Sequence, residues 1–168
     1  MQGCEELTAV ELHGVNELRE AWSTLGHAYE PPIWDRMPDY DAYLNKVATN
    51  AVNLALREPR GRIVANISFY ANDLVSRAAF ITQVIVDPSW QGHGLGTRLL
   101  AMCEARCVSL GMRSLRLEVR RDNEGAYRLY CRAGFNKYGE TTNGYLMEKC
   151  LDDSAGHSTR MSHGRAGE

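Results

Sequence analysis

The chain has 168 residues, a mass of 18.8 kDa, and 44% hydrophobic and 24% charged residues, the profile of one globular domain that folds without metal or disulfide staples. Nineteen lysines and arginines against 21 acids leave a net charge of −2 and a sequence pI near 6.2, which argues against a protein built to coat nucleic acid or an anionic membrane. No apolar run reaches the roughly 18 residues of a membrane span. The opening M-Q-G-C-E-E-L is acidic where a secretory leader is basic, and five cysteines without a C-x-x-C pair fit reduced thiols in the cytoplasm.

Apolar residues at Leu12, Val15, Leu18, Trp22 and Leu25 predict a helix over 12–25 with one buried stripe. Pro31, Pro32 and Pro38 then impose a loop before a second helix from Tyr40 to about Ala48. Strands follow at Val52–Arg57 and Arg62–Tyr70, joined by the turn Glu58–Gly61, and a third runs from Ala78 to Val86, where Asp87-Pro88 stops it. The period then changes. Leu95, Leu99, Leu100, Cys103, Cys107 and Leu110 share a helical face that Gly111 terminates, and Leu115, Leu117 and Val119 alternate with Arg116, Glu118 and Arg120 as in a half-buried strand. Asp122 or Asn123 caps a further helix with Ala126, Leu129, Tyr130 and Ala133 on one face and Gly134 at its end. Phe135–Tyr138 and Tyr145–Leu151 supply two last strands, giving a mixed α+β domain over 1–151. Residues 152–168 are small and polar without a periodic apolar face and read as a disordered tail.

Charge is unevenly spread: residues 1–58 carry ten acids and four bases, residues 98–132 eight bases and four acids, so one half is suited to an anion. In the segment V-I-V-D-P-S-W-Q-G-H-G-L-G-T-R, the chain passes from strand to helix through Gly92, Gly94 and Gly96. Glycines let a main chain approach a ligand closely, and the unpaired N–H groups of a helix start favour a phosphate. A dinucleotide fingerprint fails because Thr97 stands where its last glycine belongs, and a P-loop fails for want of G-K-[ST].

What remains, Gln91 to Gly96 as Q-x-x-G-x-G, resembles the [QR]-x-x-G-x-[GA] motif of the GNAT superfamily of acyl-CoA-dependent N-acyltransferases. A second landmark is similar to the family's as well: Leu117, Glu118 and Val119, then Asn123, Ala126, Leu129, Tyr130, Gly134 and Phe135 in the pattern L-E-V…N-x-x-A-x-x-L-Y-x-x-x-G-F. The resemblance covers about residues 78–138. It implies the GNAT fold, a mixed, mostly antiparallel sheet splayed between the strand before the glycine loop and the next, with flanking helices. It further implies that Val84, Ile85 and Val86 offer backbone groups to the pantetheine arm of acetyl-CoA, and that Gln91, Gly92, His93, Gly94, Leu95, Gly96 and Thr97 surround its pyrophosphate. Arg98 is either a phosphate contact or a solvated helix side chain. Asn123 matches a pantetheine-contacting position and can cap its helix at the same time.

Transfer of an acetyl group from a thioester to an amine needs a neutral nucleophile, a donor for the developing oxyanion and an acid for the leaving thiolate. The resemblance assigns the acid to Tyr130 and, less distinctly, the base to Glu118. Arg116 and Arg120 flank Glu118 on one strand face, so a salt bridge competes with the base role, and Asp73 and Glu30 are substitutes. Exposure at the loop tip outweighs acid–base work for His93. Cys103 and Cys107 read as helix packing, and no histidine lies at metal-ligand spacing from them, so no metal is expected. Glu30, Asp35, Asp39 and Asp41 suggest an acidic mouth for a cationic amine, with Trp34, Tyr40 and Tyr70 as candidate aromatic walls. The expected partners are acetyl-CoA and an amine acceptor, without nucleic acid or membrane, in a monomer or homodimer. A noncatalytic acyl-CoA-binding module is the rival reading.

Overall fold

A computed structural model of the chain describes residues 6–151. The tail over 152–168 and Cys4 lie outside the described residues. Seven strands form one sheet in the order β1-β2-β3-β4-β5-β7-β6. They are β1 (Thr8–Glu11), β2 (Val52–Arg57), β3 (Ile63–Tyr70), β4 (Ala78–Val86), β5 (Ser114–Arg120), β6 (Asn136–Glu140) and β7 (Gly144–Cys150). Every neighbouring pair is antiparallel except β4 and β5, which run parallel. The helices are α1 (Gly14–Leu25), α2 (Tyr40–Asn50), α3 (Leu95–Ser109) and α4 (Glu124–Arg132). None of the described helices is long and apolar enough to cross a membrane.

Strand β1 is absent from the sequence reading, which begins its first helix at Leu12. The N–H of Leu12 donates to the Asn53 carbonyl at 2.8 Å, so this residue prolongs the strand edge, and the helix starts after His13, whose N–H donates to Glu17 Oε2 at 2.7 Å. Four residues that pair along one side only carry too little alternation to be legible as a strand. The other elements fall within a few residues of expectation. Strand β6 begins one residue late because Phe135 turns inward instead: its N–H meets the Tyr130 carbonyl at 3.0 Å and its buried ring packs edge-on against Tyr130. Leu110, expected on the buried face of α3, is 42% exposed.

The core lies on both faces of the sheet. Helices α3 and α4 cover one, with Leu99, Leu100, Cys103 and Cys107 packed against Ala65, Ile67, Phe69 and Leu117. Helices α1 and α2 cover the other through Leu18, Trp22, Leu25, Leu44 and Val47. Because β3 is buried on both sides, its polar residues must be satisfied internally. Trp22 Nε1–H donates to Asn66 Oδ1 at 2.8 Å, Asn66 Nδ2–H to the Leu54 carbonyl at 3.0 Å, and Ser68 Oγ–H to Asn53 Oδ1 at 2.6 Å.

One feature of the sheet positions the site. Strands β4 and β5 pair only from Ala78↔Ser114 to Ile81↔Leu117, although β4 continues to Val86 and β5 to Arg120. Beyond that point the two strands diverge, and the sheet opens.

Candidate active site

The opening is a cleft of about 720 Å³ whose walls come from β4, β5, the glycine loop, α4 and the segment between α1 and α2. Pairing with β3 determines which backbone groups β4 presents to it. The Asp87 N–H donates to the Val64 carbonyl at 2.9 Å, and Ile85 and Gln83 stand opposite Asn66 and Ser68. In an antiparallel ladder, backbone groups of alternate residues face the same neighbour. Val84 and Val86 therefore turn theirs toward the cleft, whereas those of Ile85 are spent on β3 and its side chain is buried among α1 and α2. The Val84 carbonyl already accepts a bond from Tyr29 Oη–H at 3.2 Å.

The glycine loop leaves β4 through Asp87. That buried carboxylate accepts bonds from the Ser89 N–H (2.9 Å) and Oγ–H and from Arg62 Nη1–H (2.8 Å). Gly92 and Gly94 adopt φ of +80° and +75°, and a Cβ on either would meet nothing within 4 Å. Their lack of a side chain serves the left-handed backbone and keeps the surface open to a ligand. Gly94 precedes α3, whose first turn offers the N–H groups of Leu95, Gly96 and Thr97 without helical partners. Gly96 has a different reason: a Cβ there would come within 2.9 Å of Leu129 Cδ2, so it lets α3 pack close to α4. His93 faces back into the loop, where Nδ1–H donates to the carbonyls of Trp90 and Gln91 at 3.1 Å each. Arg98 points away, donating to the Leu7 carbonyl at 2.9 Å.

Asn123 lines the cleft and caps α4, its Oδ1 accepting from the Ala126 N–H at 3.1 Å. Tyr130 reaches the cleft from α4. Its side chain is buried, and burial pushes the hydroxyl up to about 12. Among the described residues that hydroxyl has no hydrogen-bond partner, yet no buried polar atom is left unsatisfied; its oxygen is therefore open to the cleft. Glu118 stands on the β5 wall. Arg116 and Arg120, the expected competitors for it, are paired elsewhere, with Glu148 at 2.8 Å and with Asp122 at 2.9 and 2.6 Å. Glu118 Oε1 instead accepts from Thr141 Oγ–H in the β6–β7 turn.

Several expectations about the acceptor side change. Asp39 caps α2 through the Ala42 N–H at 2.9 Å, Asp41 pairs with Arg19 at 2.7 Å, and neither Glu30 nor Asp35 lines the cleft. Asp73 is a turn former that binds the Val75 and Ser76 amides and the Ser76 hydroxyl, contacts that hold its carboxyl below the ordinary value. Trp34 packs on His27, Tyr40 beside Trp22, and Tyr70 under Lys46. The aromatic side chains that do line the cleft are Tyr29, Trp90 and Tyr130, and its cations are Arg36, Arg120 and Arg132. Tyr29 and Arg36 carry no sequence signal, since a proline-rich loop has no period from which to read the direction of a side chain.

Comparison with known proteins bears on the family and the fold. Residues 15–135 match the model of the acetyltransferase (GNAT) family. An uncharacterized N-acetyltransferase of Methanocaldococcus jannaschii is 30% identical over 89 residues, which take in 53% of this chain and 39% of that protein, so the match spans well under half of the relative's length. The Escherichia coli ribosomal-protein-S18-alanine N-acetyltransferase superposes with a TM-score of 0.72 at 24% identity, covering 91% of this chain and 98% of the other. An N-acetyltransferase from Thermoplasma acidophilum, solved in complex with coenzyme A, gives 0.69 at 15% identity, covering 86% and 99%. At these identities the solved structures establish the fold. With the family model spanning most of the domain, both central motifs included, the chain belongs to the acetyltransferase (GNAT) family.

Proposed function

We propose that the protein is an acetyl-CoA-dependent N-acetyltransferase that joins its two substrates in the cleft and transfers the acetyl group directly to a primary amine. The observation that carries this reading is the Tyr130 hydroxyl, borne on a buried side chain, unpartnered among the described residues and open to the cleft. The chain fits acetyl-CoA. The open surfaces over Gly92 and Gly94 and the free N–H groups at the start of α3 suit the pyrophosphate, with Gln91 and Leu95 framing the loop. Val84 and Val86 suit the amide groups of the pantetheine arm, and Asn123 stands beside them. Acetyl-CoA supplies the activated carbonyl.

Glu118, held by Thr141, accepts the proton that the attacking amine must lose. Tyr130 keeps its proton until the thiolate departs and then gives it up; burial, which disfavours the phenolate, maintains it in the donor form at neutral pH. The four described cysteines are unpaired, which supports work in a reducing compartment such as the cytoplasm. The test is mass-spectrometric detection of free CoA and acetylated product with acetyl-CoA and a panel of amines. Acceptor-dependent CoA release that falls in Tyr130→Phe supports the reading. Acetyl-CoA binding without release from any acceptor favours the noncatalytic module, and absence of binding removes both.

A further inference from the structure

The side of the cleft facing α1 and α2 is built around a cation. Arg36, in the loop before α2, lines the cleft with its guanidinium 4.4 Å from the centre of the Tyr29 ring. Its Nε–H donates to the Pro31 carbonyl at 3.0 Å and one Nη2–H to the Glu30 carbonyl at 3.1 Å. A guanidinium has five N–H donors in a rigid plane, so these two bonds and the ring fix its orientation and leave Nη1 and part of Nη2 unspent. Among the described residues no carboxylate lies within salt-bridge distance of it, whereas Arg120, which also lines the cleft, is neutralised by both oxygens of Asp122. The bonds from Arg120 first, and the charge of Arg36 last, hold the Asp122 carboxyl below its ordinary value.

Tyr29 locates this cation relative to the chemistry. Its hydroxyl is pinned to Gln83 Oε1 at 2.7 Å and to the Val84 carbonyl on β4. Burial first, and then the neighbouring Tyr130, raise it above an ordinary tyrosine, and both side chains line the cleft. The glycine loop and the start of α3 line the same cleft as Arg36. We infer that Arg36 is the acceptor's anion anchor, and that the acceptor is a small amine that also carries a carboxylate or a phosphate, placed so that the anion meets the guanidinium while the amine reaches Glu118 and Tyr130. This assignment rests on the acetyltransferase reading. It replaces the cationic acceptor suggested by the acids of the N-terminal segment, which lie outside the cleft.

The test uses matched amines: an amino acid against its amide, an amino-sugar phosphate against the free amino sugar, and a polyamine as the cationic case. With the wild-type protein the anionic member of a pair is turned over with the higher kcat/KM, by roughly tenfold to a hundredfold, the worth of a charge-assisted hydrogen bond. The amino-acid and phosphate arms separate the two sources of the anion. In Arg36→Gln that preference collapses through KM, kcat stays near its original value, and Arg36→Lys recovers part of it. If Arg36 merely staples its loop to Glu30 and Pro31, both members of a pair suffer alike, which would overturn the assignment. So would equal turnover within the wild-type pairs, preference for the polyamine, or no turnover of any anionic amine. Acetyl-CoA affinity, measured by calorimetry on wild type and both variants, is expected to be unchanged; loss of binding by the wild type defeats the acetyltransferase reading instead.

Discussion

Tyr130 concentrates two properties that usually conflict. A hydroxyl on a side chain 8% exposed normally requires a partner, and this one is spared because it opens onto the cleft. Tyr130→Phe is expected to lower kcat by roughly 10²- to 10⁴-fold, the usual worth of a positioned general acid, with acetyl-CoA affinity unchanged by calorimetry. The pH dependence has a definite sign. An acid works while protonated, and a hydroxyl raised to about 12 stays protonated well past the ordinary tyrosine value of 10.0. The fall in kcat due to this group therefore belongs near pH 12; a wild-type alkaline limb that persisted unchanged in Tyr130→Phe would contradict the assignment, whereas one near pH 10 that vanished in the variant would keep the acid and remove its upward shift. For Glu118→Gln, kcat is expected to drop while the Thr141 contact survives, since an amide oxygen still accepts from the hydroxyl.

At the scale of elements, the cleft depends on three junctions between elements. Gly94 holds φ of +75° before α3; Gly94→Val forces a β-branched residue into the left-handed region and occupies the open surface above it. Acetyl-CoA binding should weaken by about tenfold or more, read by calorimetry, and unchanged affinity would remove the loop from the binding site. Gly144 allows β7 to reach β5 beside Glu118, since a Cβ there would stand 2.5 Å from the Val119 carbonyl oxygen. Gly144→Ala must push the strands apart at a cost of about 1–3 kcal/mol, measurable by denaturant titration, and should also displace Glu118. Asp87 is the third junction. Burial raises its carboxyl, but the Ser89 hydroxyl and amide and Arg62 outweigh that and hold it below the ordinary 3.8. Its contribution to stability is thus complete above the unfolded value and lost as pH falls through the lower folded one. Asp87→Ala should cost about 1–2 kcal/mol in a melt at neutral pH and should flatten the acid dependence of stability.

At the scale of the whole molecule, the parallel pairing of β4 and β5 within an otherwise antiparallel sheet explains why the cleft lies where it does. Parallel neighbours need a crossover, here α3, and the glycine loop that starts α3 sits at the end of β4, where the sheet opens. Helix α4 follows β5 in the same sense, so two helix starts converge on the cleft, and the α1–α2 segment closes it from the other face. The described residues, 6–151, hold a seven-stranded sheet with a core on both faces. Removing residues 152–168 is accordingly expected to leave the melting temperature and acetyl-CoA affinity unchanged, as calorimetry would show.

The sequence by itself determined the elements whose apolar residues recur at one period and the glycine loop between strand and helix. The stripe of α3, the alternation of Leu115, Leu117 and Val119 on β5, the Gln91–Gly96 turn and Tyr130 in its motif were all legible, because each depends on spacing along the chain. Four-residue β1 was not, having too little length for a period. The tertiary structure alone decided which charges of the N-terminal segment line the cleft. Glu30, Asp35, Asp39 and Asp41 cluster in sequence yet stand outside the cleft, whereas Tyr29 and Arg36, from the same aperiodic loop, line it. It likewise decided that Ile85 spends its backbone on β3 while Val84 and Val86 turn theirs to the cleft, and that Glu118 is tied to Thr141 and not to the arginines beside it. Such outcomes depend on which way a strand's hydrogen bonds face and on what a loop packs against, and pairing between distant segments sets both.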